Sequence, residues 1–364
     1  MEKIKKFFEC LLPVTACNLK CEYCYIIQRD NRSLQVPKLD YSPEVIGEAL
    51  TKERLGGVCY FSICGAGETF VPDYLIDIVY QILNNGHYVN ITTNGTLTNK
   101  MKRLESLPRE FLKRLHISFS FHYLELKRFN LMDDFFENVS FVKSLGCSYL
   151  VQINLYDNYL PHLEEIKALC LEKTGALPQV AATRKEEDIT KKIELLTEKS
   201  VEEYTNIGLS FDSPLFDYTM RNFNVKRKEF CYAGAWSFVL NLKTGVLKRC
   251  YSSSIHQNIF KNTKKPIMNL PVGKKCNSLY CLNSSHFMSL GVIPELQSPT
   301  YAFLRNRKNA NWYSEEMDSF LDGKLCENNK QCSKAKKLYC NFVGVIDKCV
   351  YKSYQILKKK RNNK

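Results

Sequence analysis

The sequence predicts an α/β protein: a parallel sheet built from βα units, followed by a small cysteine-rich module. Two observations carry the first part. Short β-branched or aromatic runs alternate with longer amphipathic segments from Phe7 to about Thr183, and the helical segments close on Gly56, Gly86, Gly146 and Gly175. A third observation carries the second part. The βα rhythm stops after a charged stretch at 184–206, and eight of the sixteen cysteines lie beyond it.

The strand candidates in order are FFECLLPV, VCYFSICG, YVNITTN, LHISFSF and YLVQINLY. Between the first two, SPEVIGEALTKERLGG offers Ser42 as N-cap and Pro43 at the first helical position. PDYLIDIVYQILNNG carries Leu75, Ile76, Ile78, Val79, Ile82 and Leu83 at helical spacing, and DDFFENVSFVKSLG and LPHLEEIKALCLEKTG repeat the pattern. At least five such units predict an open or closed βα barrel. The stretch from Arg184 to Asn206 reads as an exposed helical connection, so the expected division is 7–206 for the barrel, 207–350 for the cysteine-rich module and 351–364 for a basic C-terminal tail.

With 45% hydrophobic residues in 364, the chain can bury a full core, and no apolar run reaches the length of a membrane span. Glu9 and Pro13 interrupt the apolar opening, which argues against a signal peptide. Sixteen cysteines without export features imply reduced thiols, hence metal ligands or buried thiols and a cytoplasmic location. The net charge of +14 is spread along the chain, so no compact nucleic-acid patch is expected and an acidic partner suits it better.

The stretch VTACNLKCEYCYI places Cys17, Cys21 and Cys24 at C-x3-C-x2-C with an aromatic residue next. Three thiolates can wrap one corner of an iron-sulfur cluster but cannot saturate it, leaving one iron for a small ligand. Zinc would need a fourth, distant protein ligand. This stretch resembles the signature of radical S-adenosylmethionine (SAM) enzymes, which implies a 4Fe-4S cluster whose open iron is chelated by SAM. The resemblance implies a partial (β/α)6 barrel and covers roughly residues 7–183.

Further matches fall at strand ends. CGAGET, from Cys64 to Thr69, resembles the Gly-Gly-Glu-Pro motif of that family, with Ala66 and Thr69 as departures and Gly65, Gly67 and Glu68 as cofactor-site candidates. A plain βα turn would also use glycine here. Thr93 and Asn94 resemble the polar residues that approach SAM on the third strand. Ser118 and Ser120 on the fourth strand and Asn154 on the fifth complete the set, and sites in βα barrels gather at the carboxyl ends of strands. His122 follows the fourth strand near the presumed cavity. Cys10, Cys59, Cys64, Cys147 and Cys170 read as small buried hydrophobes.

Beyond the break, Cys231, Gly245 and Cys250 outline a β-hairpin with its turn at Gly245 and one thiol near each far end. This resembles the opening of the SPASM and twitch extensions of radical SAM enzymes, implying one auxiliary 4Fe-4S cluster held by Cys231, Cys250, Cys276 and Cys281. The later spacing departs from a full SPASM pattern, and a zinc knuckle uses the same thiols. The expected function is cleavage of SAM to a 5'-deoxyadenosyl radical that abstracts a substrate hydrogen, for peptide or protein modification. The substrate alternatives are a carbohydrate or small metabolite, and flavodoxin or ferredoxin is the expected electron donor. A noncatalytic zinc or iron-sulfur module is the alternative of another class.

Overall fold

In the computed structural model, which describes residues 2–186, 192–281 and 283–362, nine strands form one sheet in the order β6-β5-β4-β3-β2-β1-β7-β8-β9. The strands are β1 (Lys6–Leu12), β2 (Cys59–Gly65), β3 (Tyr88–Thr93), β4 (Leu115–Ser120), β5 (Ser148–Leu155), β6 (Gln179–Ala182), β7 (Ser237–Asn241), β8 (Val246–Lys248) and β9 (His256–Asn258). The first six pair in parallel in sequence order, and β6 and β1 stay unpaired with each other, so the barrel is partial. The five strand candidates match β1 to β5. The sixth, QVAA, is four residues long and too short to show alternation in the sequence.

The strand period of two divides the sheet into two faces. Phe8, Phe61, Ile63, Val89, Ile91, Ile117 and Phe119 are fully buried on one face, where Phe8 stacks between Phe61 at 4.7 Å and Phe238 at 5.5 Å. The other face carries polar groups inside the barrel. Glu9, Ser62 and Asn90 lie in register across β1 to β3; Asn90 donates to Ser62 Oγ at 3.1 Å and accepts from Ser118 Oγ at 2.8 Å.

The helix expected over 42–56 is two helices, Pro43–Ala49 and Lys52–Leu55. Thr51 starts the second by accepting the Arg54 N–H. Helices Leu75–Asn84, Met132–Ser144 and Leu163–Thr174 follow the predicted periodicity. In the charged stretch, residues 187–191 lie outside the described residues, Arg184 bridges Leu195, and a capping box at Ser200 and Glu203 opens the helix Val201–Leu209.

The cysteine-rich segment continues the same sheet. β7 pairs in parallel with β1, and β7 and β8 form the expected hairpin, with Gly245 at φ 70°. Cys231 does not sit on the hairpin strand as expected; it precedes it and exchanges two backbone hydrogen bonds with Gly273. Residues from 284 to 322 then plug the bottom of the barrel, where Phe320 stacks on Tyr88 at 3.7 Å and Tyr301 meets Tyr60 edge-on at 5.4 Å. The final helix, Lys334–Asn362, carries most of the expected 351–364 tail, and residues 363–364 lie outside the described residues. Among the described residues no helix is long and apolar enough to cross a membrane.

Candidate active site

The loop after β1 holds the three thiols, and it is fixed by backbone contacts with the turn after β2. Ala66, Gly67 and Glu68 donate their N–H groups to the carbonyls of Leu12, Val14 and Ala16. This close approach explains Gly67: a Cβ there would lie 2.2 Å from the Ala16 carbonyl oxygen. Thr69, which replaces the proline of the motif, accepts the Gly65 N–H with its hydroxyl at 2.9 Å. Arg32 donates to the carbonyls of Leu19 and Cys17, and the Lys20 N–H donates to the buried Glu125 at 2.8 Å.

Cys17, Cys21 and Cys24 line one cavity of about 420 Å³ together with Gly65, Gly67, Glu68, Thr93, Asn94, Ser120 and Asn154. Glu68 is 2% exposed, and its carboxylate is spent on the fold: Oε1 accepts from Thr93 Oγ1 at 2.6 Å and Phe70 N–H at 2.9 Å, and Oε2 from Asn94 N–H at 2.7 Å. It ties the β2 turn to the end of β3. Burial raises its pKa against these bonds. Asn94 donates in turn to Asn18 Oδ1 at 2.8 Å, which links β3 to the thiol loop. Ser118 lies lower, in an adjoining cavity of about 620 Å³, with its hydroxyl held by Asn90. His122 lines the upper cavity, and its Nδ1 lies 2.6 Å from Tyr23 OH; burial lowers its pKa to about 4, so it is neutral and its tautomer sets which of the two donates. Cys64 departs from its expected buried role: it is half-buried and lines both cavities, because its strand position faces the barrel interior.

The four C-terminal thiols are also brought together. Burial, then the neighbouring charges of Cys250 and Cys276, pushes Cys231 up; burial and Cys276 push Cys250 to about 12; burial with Cys250, Cys231 and Cys276 raises Cys281. Cys21 is raised by burial, Glu125, Cys17 and Cys24. Burial and mutual repulsion hold these groups as neutral thiols unless a cation joins them. Among the described residues no three His, Cys, Asp or Glu side chains converge as one metal ion needs.

A thiol loop and polar strand ends above a half-open barrel together line a cavity at the carboxyl end of a βα sheet. Residues 11–155 match the radical SAM superfamily, a family that uses a 4Fe-4S cluster and SAM. The match favours a catalytic reading over the noncatalytic module. Similar solved structures include Streptococcus suis SuiB bound to S-adenosylmethionine, with TM-score 0.49, 15% identity and coverage of 71% of this chain and 64% of that one. SuiB bound to precursor peptide SuiA gives TM-score 0.47, 16% identity and the same coverages. Native anSMEcpe with bound AdoMet gives TM-score 0.48 and 16% identity over 96% of this chain and 100% of that one. The chain thus spans 64% of the length of SuiB. No curated protein matches it.

Sequence reasoning missed Asn18, Arg32, Glu9, His286 and Arg305, all at or beside the cavities. Glu9 left a signal, a carboxylate in an apolar strand. Arg305 left none, since only tertiary packing carries it into the barrel.

Proposed function

We propose that the protein modifies a side chain of a peptide or protein, with Cys17, Cys21 and Cys24 holding the SAM-binding cluster and Cys231, Cys250, Cys276 and Cys281 an auxiliary one. When bound, the first cluster and SAM supply a 5'-deoxyadenosyl radical that takes a hydrogen atom from the substrate. In this reading the β2 turn and the ends of β3 to β5 orient SAM, and the C-terminal segment covers the barrel and excludes water.

The observation that supports it most is the cavity pair. The 420 and 620 Å³ spaces share Cys64, Ser120, Gln152, His286 and Arg305 as walls, giving room below the thiol loop for a substrate group beside SAM. The auxiliary thiols stand close by, since Tyr280 and Asn283 on either side of Cys281 line these walls. Flavodoxin or ferredoxin would supply the electron.

The test is anaerobic reconstitution with a strong reductant, SAM and two panels of substrates, acidic peptides and sugars. A peptide that changes mass and accelerates release of 5'-deoxyadenosine supports the reading. Turnover of sugars alone would replace it with carbohydrate chemistry.

A further inference from the structure

The lower cavity contains charged groups that the SAM site does not use. Arg305 ends the helix Tyr301–Arg305, is 2% exposed and lines both cavities. Its guanidinium lies over the Tyr301 ring, 3.7 Å from the centroid. Nη1 donates to the Ser285 carbonyl at 2.9 Å and Nη2 to the Ser285 hydroxyl at 3.2 Å. Two of five N–H groups are thus used, and three, including Nε–H, have no partner among the described residues. No carboxylate among the described residues lies within ion-pair distance of it.

The nearest candidate, Glu9, is already engaged. Its Oε2 accepts from Asn283 Nδ2 at 2.8 Å and lies 2.9 Å from His286 Nδ1. His286 shares the cavity wall with Glu9 and Arg305, and both charges act on it. Leaving a buried guanidinium with open donors is costly unless a ligand fills them. A planar carboxylate matches the free edge of the fork with two parallel bonds.

We propose that Arg305 binds a carboxylate of the substrate in the lower cavity, an acidic side chain or a chain terminus, with Glu9 holding His286 in place as the adjoining wall. This rests on the reading that a peptide or protein group enters the barrel. Arg305 thereby selects the substrate and fixes it below SAM. Stacking on Tyr301 and the two bonds to Ser285 preorganise the fork before the ligand arrives.

The test is calorimetric titration of the reconstituted holoenzyme, saturated with SAM, using four probes: N-acetylglutamate methylamide, its glutamine counterpart, glutarate and inorganic phosphate. The glutamate derivative and glutarate are expected to bind about tenfold or more tightly than the glutamine derivative. Arg305→Met should remove that preference. Arg305→Lys, which keeps the charge and loses the fork, should retain part of it and melt near the parent temperature. SAM affinity should fall less than the glutamate preference in both, since Arg305 borders the upper cavity as well. Equal binding of the glutamate and glutamine derivatives, no binding of the glutamate derivative or of glutarate at millimolar concentration, a preference for phosphate, or a loss of SAM affinity in Arg305→Lys as large as the loss of glutamate preference would each overturn the proposal. Binding of glutarate but not of the capped amino acid would keep the carboxylate pocket and overturn the peptide reading instead.

Discussion

The two groups of thiols are built in opposite ways. Cys17, Cys21 and Cys24 occupy eight consecutive residues on one loop, held by the β2 turn, and they line an open cavity. Cys231, Cys250, Cys276 and Cys281 are spread over fifty-one residues, and none of them lines either cavity. A site that must admit a cosubstrate keeps one position open, whereas a closed set of four thiolates completes its own coordination. Local sequence can supply the first kind. The second needs the hairpin, the Cys231 to Gly273 pairing and the loop to Cys281 to converge, so its integrity depends on the fold around it.

Replacing Cys17, Cys21 and Cys24 together by Ala should abolish SAM cleavage while leaving about four irons per chain in the C-terminal group. Undiminished 5'-deoxyadenosine release, or a protein without metal, would erase the contrast. Replacing the four C-terminal cysteines should give the converse: about four irons remain, now all in the loop cluster. Mössbauer spectroscopy with metal analysis reads both, and zinc in place of iron in the first variant would make the second site a zinc knuckle.

The dependence of the closed group on tertiary packing can be probed without touching a thiol. Asp347, on the last helix, pairs with Arg249 at 2.5 Å beside Cys250, and both are buried. Burial alone would raise the Asp347 pKa, yet hydrogen bonds from Ser254, Ser253 and Arg249 hold it below its usual value. Asp347→Ala leaves a buried guanidinium alone, and the expected cost in denaturant unfolding is about 3 to 5 kcal/mol. A change within 0.5 kcal/mol, roughly the scatter of surface substitutions, would show that this anchor does not hold the module.

At the open site, Glu68→Gln removes an acceptor for Thr93, Phe70 and Asn94, and Asn94→Ala cuts the link to Asn18. Each is expected to weaken SAM binding by about 1 to 3 kcal/mol, tenfold or more, with iron retained. Unchanged affinity in both would remove the strand ends from the SAM pocket.

The barrel should also show a pH dependence that the C-terminal group does not share. Burial lowers His87 and His122 to about 4 and, helped by the charges of Arg305 and His286, His116 to about 3, all from 6.5. Below pH 6.5 the unfolded chain takes up protons that the folded chain refuses. Stability therefore falls as pH drops from 6.5 towards 4, by about 1.4 kcal/mol per unit for each histidine. His122→Gln, probed by denaturant unfolding across that range, should flatten the slope by one such increment.

Much of this architecture was legible along the chain because its causes are local. Strand alternation and glycine stops marked β1 to β5, and the C-x3-C-x2-C spacing marked the thiol loop before any coordinates. The hairpin turn at Gly245 was likewise written in LNLKTG. The split at Thr51 and the short β6 escaped, since a four-residue strand and a side-chain cap inside an apolar pattern carry little periodic signal.

Other features had no local cause to read. The motif marked Glu68 as a cofactor-site candidate, and only the geometry shows its carboxylate tying β2 to β3. The continuation of the sheet through β7 depends on pairing between residues more than two hundred positions apart, which no window of sequence contains. Arg305 reaches the barrel interior because Tyr60, Tyr88 and Tyr301 stack the C-terminal helices against the inner face of the sheet. Side-chain type and spacing determined which chemistry this chain can offer, since three thiols on one short loop converge wherever that loop is held. Where the polar groups meet, and what they leave open for a substrate, was decided by long-range packing, because burial and hydrogen-bond partners exist only once distant segments touch.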